Sequence, residues 1–126
     1  MCEHAVYRTE EIGGVGVFTL DDAFKSSIIY SFKELGMVKL VDLKSDRRGG
    51  GKVLIARTME EALNRNVRKV GGEAIDYGQN IHHLRLWYKN IGITMDHQLQ
   101  LNGDVERVYD LCLSALFRHN VIYHDS

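Results

Sequence analysis

Apolar positions recur along this chain at spacings of three to four residues in some stretches and of two in others. Those two periods are the marks of helix and strand. The three-to-four spacing predicts a first helix over about Asp21–Leu35, with Phe24, Ile28, Phe32 and Leu35 on one stripe, Thr19 as a cap and Gly36 as the stop. A second helix is expected from Thr58, where Thr58-Met59-Glu60-Glu61 has the form of a capping box, with Ala62, Leu63, Val67 and Val70 inward and Gly71-Gly72 ending it. A third runs from after Asn102-Gly103 to about His119. Asp104 and Glu106 sit in its first turn, and Val105, Val108, Tyr109, Cys112, Ala115 and Leu116 form its apolar face.

Strands fill the intervals. His4–Arg8 and Val15–Leu20 read as a hairpin joined through Gly13-Gly14, and Val121–His124 as a short closing strand. Met37–Lys44 and Lys52–Arg57 read as a hairpin around the long connection Ser45–Gly51. Ile81–Tyr88 and Ile93–Leu101 read as another, in which Tyr88 faces Ile93, Leu86 faces Met95 and Leu84 faces His97, with Arg85 across from Asp96 on the other side. The order predicts an α+β fold: a largely antiparallel sheet built from hairpins, with about three helices packed on one face, as a single domain over residues 1–126.

Composition narrows the class. Hydrophobic residues make up 44% and charged residues 26%, so the chain resembles a globular domain rather than a disordered segment. No apolar run approaches the roughly 20 residues that a membrane helix needs, and Met1-Cys2-Glu3-His4 lacks the basic start and apolar stretch of a secretory leader. Only Cys2 and Cys112 are present, which fits a reducing, cytoplasmic setting better than a disulfide framework.

The net charge of −1 is unevenly spread. Residues 37–69 hold nine basic and four acidic side chains, a net of +5, between two flanks of −3 each. Within this segment Arg47-Arg48-Gly49-Gly50-Gly51 offers exposed amides and forked donors suited to phosphate, although the Lys-Ser/Thr end of a Walker loop is missing. Lys52, Arg65, Arg68 and Lys69 could extend it into a surface for nucleic acid or a phosphate-bearing ligand such as a nucleotide. Equally, the loop reads as a solvated hairpin tip, and Arg65 with Glu61 as an i,i+4 pair.

Glu34-Leu35-Gly36-Met37-Val38, Ser45-Asp46-Arg47-Arg48 and Val53-Leu54-Ile55 resemble the recognition-helix end and wing of MarR-type winged-helix regulators. That resemblance implies a wing arginine entering a minor groove. It covers under a fifth of the chain, and the dimerisation helices of that family have no counterpart here.

Enzymatic chemistry has one candidate site, a sheet face of His83, Arg85, Trp87 and Asp96, with His83 or Asp96 as base. His82 and His83 are expected on opposite faces of a strand, and His97 reads as a hydrogen-bonded core histidine. No metal motif occurs, and no cofactor is implied. Ser26, Ser27 and Ser114 lack the flanking glycines of a nucleophile elbow. Leu111, Leu113 and Phe117 widen the apolar face of the third helix and point to a homo-oligomer. The leading expectation is a non-enzymatic binding protein using the basic middle segment. An oligomeric regulatory protein and a small enzyme stand as alternatives.

Overall fold

Phe18, Ile28, Tyr30, Leu40 and Val70 lie on neighbouring strands, point the same way and are almost completely buried. They form the floor of the core in a computed structural model that describes residues 1–75 and 80–126. The strands are β1 (Cys2–Arg8), β2 (Val15–Thr19), β3 (Ser27–Ser31), β4 (Met37–Lys44), β5 (Lys69–Glu73), β6 (Thr94–Met95), β7 (Gln100–Asp104) and β8 (Val121–Asp125). The helices are α1 (Gly50–Asn64), α2 (Ile81–Asn90) and α3 (Val105–Arg118). All eight strands join one sheet in the order β6-β7-β5-β4-β3-β2-β1-β8.

The α+β class and the mostly antiparallel sheet with three helices stand. The sheet is not a stack of hairpins. β4 and β5 run parallel, joined by a crossover through α1, and β8 runs parallel to β1. α3 carries the chain from β7, near one edge of the sheet, to β8 at the opposite edge.

Several elements differ from expectation for identifiable reasons. The region read as the helix Asp21–Leu35 holds β3 instead. Ile28-Ile29-Tyr30 is β-branched and aromatic, and the Asp21 carboxylate accepts from the Lys25 and Ser26 amides to close a turn rather than cap a helix. Leu35, expected inward, is fully exposed. The stretch Lys52–Arg57 is not a strand. It belongs to α1, which begins eight residues before the expected capping box. Thr58 bonds back to the Leu54 carbonyl within the helix, and Gly71-Gly72 lies in β5. The winged-helix reading falls with these changes, because Met37-Val38 is strand and Val53-Leu54-Ile55 is helix.

Ile81–Tyr88 is the third correction. Asn80 caps α2 by accepting from the His82 and His83 amides, and the expected hairpin with Ile93–Leu101 is absent. Residues Thr94–Asp104 form the short hairpin β6–β7 by themselves. His97 lies in its turn and is exposed, not a core residue. The strands β1, β2 and β8 and the helix α3 fall close to the expected positions.

α1 is buried along most of its length, between the sheet and α3. Glu61 on its buried side receives three arginines: Arg57 at 3.1 Å, Arg65 at 3.2 Å and Arg8. Arg57 also forks onto Asp125 of β8 at 2.7 and 3.2 Å and stacks over Phe18. These bonds tie the helix to both ends of the chain.

Burial pushes the Cys112 thiol up to about 12, with the Lys52 charge opposing weakly. Cys112 is therefore expected to stay unreactive towards a disulfide reagent in the native protein, while half-buried Cys2 reacts. A thiol count of one before and two after denaturation checks this.

Candidate functional site

The parallel pairing of β4 with β5 stops after Leu40 and Gly72. Beyond that point β5 follows β7, with the Ala74 amide donating to the Leu99 carbonyl at 2.8 Å. β4 continues along β3 as far as Lys44. A bulge at Val41, where Ile29 pairs with Asp42 and Tyr30 with Leu40, bends β4 further from its former neighbour. The split leaves the backbone of Val41–Lys44 open on one side, along a groove of about 670 Å³.

The Gly49-Gly50-Gly51 turn stands at one end of this groove. Gly49 adopts φ 73°, the left-handed region, and caps α1 with no side-chain bond. A side chain on Gly50 would meet the Ser45 hydroxyl, and one on Gly51 would press on the Trp87 ring. The Gly50 amide donates to the Arg47 carbonyl and the Val53 amide to the Gly49 carbonyl, both at 3.0 Å. Among the described residues no protein group accepts from the Gly51 or Lys52 amides, and the first turn of α1 carries no acidic side chain. Free amides and the positive end of a long helix make this turn an anion cradle. Buried His4 holds the turn from below, its Nε2 lying 3.1 Å from the Arg48 carbonyl.

The structure separates the basic residues that the sequence grouped. Arg47 and Lys52 line the groove, and Lys52 Nζ sits 5.3 Å from the centre of the Trp87 ring. Arg48 turns the other way, beside Cys2 and His119. Arg65 lies at the far end of α1, bound to Glu11 at 2.6 Å and to Glu61, and stacked on Phe32. Arg68 pairs with Glu106 at 3.0 Å, and Lys69 lies beside it near Asn102 and Asp104. They do not form one continuous basic surface.

Of the second group, His83 and Trp87 line the groove from α2. Arg85 instead bonds the carbonyls of Met95 and Asp96, and the Asp96 carboxylate accepts from the Gln98 and Gln100 amides. The expected sheet face is thus a helix face and a turn.

Tyr88 is the groove residue that the sequence reading gave no chemical role. It is 5% exposed and lines the groove, and among the described residues its hydroxyl has no hydrogen-bond partner. Burial, reinforced by the Asp42 carboxylate, pushes its pKa up to about 12, so it stays protonated at neutral pH. Glu73, Asp42 and His83 supply further titratable groups along the walls. Ile81, Leu84, Tyr88 and Ile91 have helical spacing, and that pattern could have placed Tyr88 on one inward stripe.

Among the described residues no cluster of three or more His, Cys, Asp or Glu side chains is placed to hold a metal. No described helix is long and apolar enough to cross a membrane.

No protein-family profile matches the chain, and no curated protein matches it in sequence. Solved structures do share its fold. An acetyltransferase from Bacillus subtilis in complex with CoA aligns with a TM-score of 0.56 and 12% identity, covering 80% of this chain and 98% of that one. GCN5 of Tetrahymena aligns at 0.54 and 12% identity, covering 73% and 69%. A protein described as an acetyltransferase of the GNAT family from Desulfovibrio desulfuricans aligns at 0.51 and 17% identity, covering 72% and 67%. At these identities the likeness establishes a GNAT-like fold. It also corrects the leading expectation: the solved neighbours include named acetyltransferases, and neither a nucleic-acid-binding nor a regulatory reading finds support. The small-enzyme alternative fits better.

Proposed function

We propose that this protein is an acyltransferase that takes an acyl group from acyl-coenzyme A. The observation that carries the reading is the pair of unpartnered amides at Gly51 and Lys52, set at the mouth of a groove opened by the splitting of β4 from β5. Coenzyme A has pyrophosphate at one end, an extended arm with two amides, and a thiol at the other end. The glycine turn, with Lys52 and Arg47 beside it, suits the phosphates. The open edge of Val41–Lys44 suits an amide-bearing arm laid down as an added strand. Gly51 lets the ligand approach the helix closely, since any side chain there would fill the cradle under Trp87. The same donors would suit other diphosphates, but the open strand edge favours a ligand with amides.

A thioester supplies an activated acyl carbon. Tyr88, kept neutral by its burial, donates a hydrogen bond to the departing sulfur. Glu73 and His83 stand at the groove wall, where either can take a proton from an incoming amine. The fold neighbours add support, one of them being named as a complex with CoA. In this reading Arg47 and Lys52 are ligand-binding residues, and Arg48, Arg65, Arg68 and Lys69 lie outside the groove.

Removing only the Tyr88 hydroxyl tests the chemical part. Tyr88→Phe is expected to lower kcat by about 10²-fold or more with little change in KM for acetyl-coenzyme A. Release of free thiol in the presence of a panel of amines provides the assay. An unchanged kcat would remove Tyr88 from the chemistry.

A further inference from the structure

The registers place two carboxylates on one face of the sheet where β4 and β5 part. Leu40, Tyr30 and Leu101 point into the core at this level. Asp42 lies across from Ile29 of β3, and Glu73 across from Gln100 of β7, so both side chains stand on the opposite face. Asp42 comes two residues after Leu40 on β4, and Glu73 one residue after Gly72 on β5. They therefore flank the split from its two walls at about the same level, and both line the groove.

Among the described residues no cation pairs with either carboxylate. Lys39, on the same face, is held by Glu34 at 2.8 Å, and Lys44 lies two residues nearer the glycine turn. The groove is thus polarised, with Arg47 and Lys52 at the cradle and unpaired carboxylates at the split. A second observation lies between them. The Tyr88 hydroxyl belongs to a side chain only 5% exposed, lines the same groove and has no partner among the described residues. Val41 and Ile75, each more than 40% exposed, add apolar wall beside the carboxylates.

We infer that the acyl acceptor is a small aliphatic amine with a second positive charge, a diamine or polyamine, held at the split by Asp42 and Glu73. The inference rests on the acyltransferase reading and assigns the acceptor of that same groove. Two unpaired carboxylates favour a dication, which neutralises both, over a monoamine, which neutralises one. The methylene chain between the charges lies along Val41 and Ile75. An acceptor with a carboxylate tail meets like charge and is rejected. The reacting nitrogen, as its free base, bonds to the thioester carbonyl carbon while the carbon–sulfur bond breaks. The sulfur leaves as the coenzyme A thiolate, hydrogen-bonded by Tyr88, and the proton lost from nitrogen passes to Glu73 or His83. Asp42 keeps the second ammonium group throughout, which makes it a specificity-determining residue.

Initial rates and isothermal titration of the full chain test the inference. Thiol release from acetyl-coenzyme A is followed with terminal diamines of about three to six carbons, and with monoamines and terminal amino acids of the same lengths. The best diamine is expected to exceed its monoamine in kcat/KM by at least about 10-fold, and its amino acid by at least about 100-fold. Asp42→Asn should cut the ratio of diamine to monoamine at least about 5-fold, a change that loss of folded protein would not produce. Acylation of both amines with equal kcat/KM would overturn the inference and leave the acyltransferase reading intact. Faster acylation of a blocked lysyl-lysine dipeptide than of every diamine would overturn the small-molecule acceptor. If no amine is acylated, binding of the diamine to the protein alone decides. A dissociation constant below about 1 mM, raised at least about 5-fold by Asp42→Asn, would keep the dication site and remove the acyltransferase reading. No binding would remove both.

Discussion

Lys52→Glu is expected to weaken acetyl-coenzyme A binding by at least about 100-fold while leaving the melting temperature within a few degrees of wild type. The substitution reverses the charge of the side chain that closes the anion cradle and places a carboxylate beside the free Gly51 and Lys52 amides. A charge-assisted contact to phosphate is lost and a repulsion replaces it. Stability moves little because two effects oppose. An acidic residue in the first turn of α1, which has none, gains about 0.3–1 kcal/mol from the helix dipole. The lost contact of Lys52 with the Trp87 ring costs about 0.5–1 kcal/mol. Isothermal titration with a parallel thermal melt separates the two quantities. Loss of binding accompanied by a large fall in melting temperature would mean that Lys52 is structural, and the cradle argument would fail.

Glu61→Ala is expected to have the largest effect on stability, about 3–5 kcal/mol, the cost of breaking a buried pair by removing one partner. Glu61 is only 10% exposed at its side chain and receives Arg8, Arg57 and Arg65. Without it, Arg57 keeps only Asp125, whose side chain is 59% exposed, and its guanidinium remains 6% exposed in the core. For a domain of this size the loss corresponds to a fall in melting temperature of roughly 10–20 °C. Glu60→Ala, one residue away, is the control. It loses a single hydrogen bond from the Tyr123 hydroxyl and should cost about 1 kcal/mol. Equal effects from the two substitutions would show that the three arginines do not depend on Glu61.

The sequence made the ends of the fold plain and left its centre obscure. α3 was legible because its apolar stripe keeps one period between an Asp104 cap and an exposed end. β1, β2 and β8 were legible as short runs bounded by glycine and polar residues. α1 was not, because it is buried on nearly all sides. Val53-Leu54-Ile55-Ala56 then shows no polar face, and a short apolar run of that kind reads equally as a strand. α2 was misread because Leu84, Leu86 and Tyr88 alternate by chance, and that strand-like run masked the helical spacing of Ile81, Leu84, Tyr88 and Ile91.

The same misreading hid the site. The Arg47–Gly51 loop was visible as a phosphate-binding candidate, but with a strand placed after it the helix N-terminus that gives the loop its meaning was absent. Segmental charge was the less faithful guide. The excess of basic residues over 37–69 is genuine in sequence, yet folding pairs Arg57, Arg65 and Arg68 with Glu11, Glu61, Asp125 and Glu106 and turns Arg48 away from Arg47 and Lys52. Net charge per segment therefore gave no surface that a polyanion could follow.

The central claim is that the groove between β4 and β5 holds coenzyme A by its phosphates and its amide arm. A calorimetric titration of the purified protein with acetyl-coenzyme A, repeated with Gly51→Val, tests it most directly. The account predicts one site per chain with micromolar affinity for the wild type, and no detectable binding by the folded variant, whose side chain fills the cradle beneath Trp87. Absence of binding to the wild type at millimolar ligand, or undiminished binding to a folded Gly51→Val protein, would contradict it.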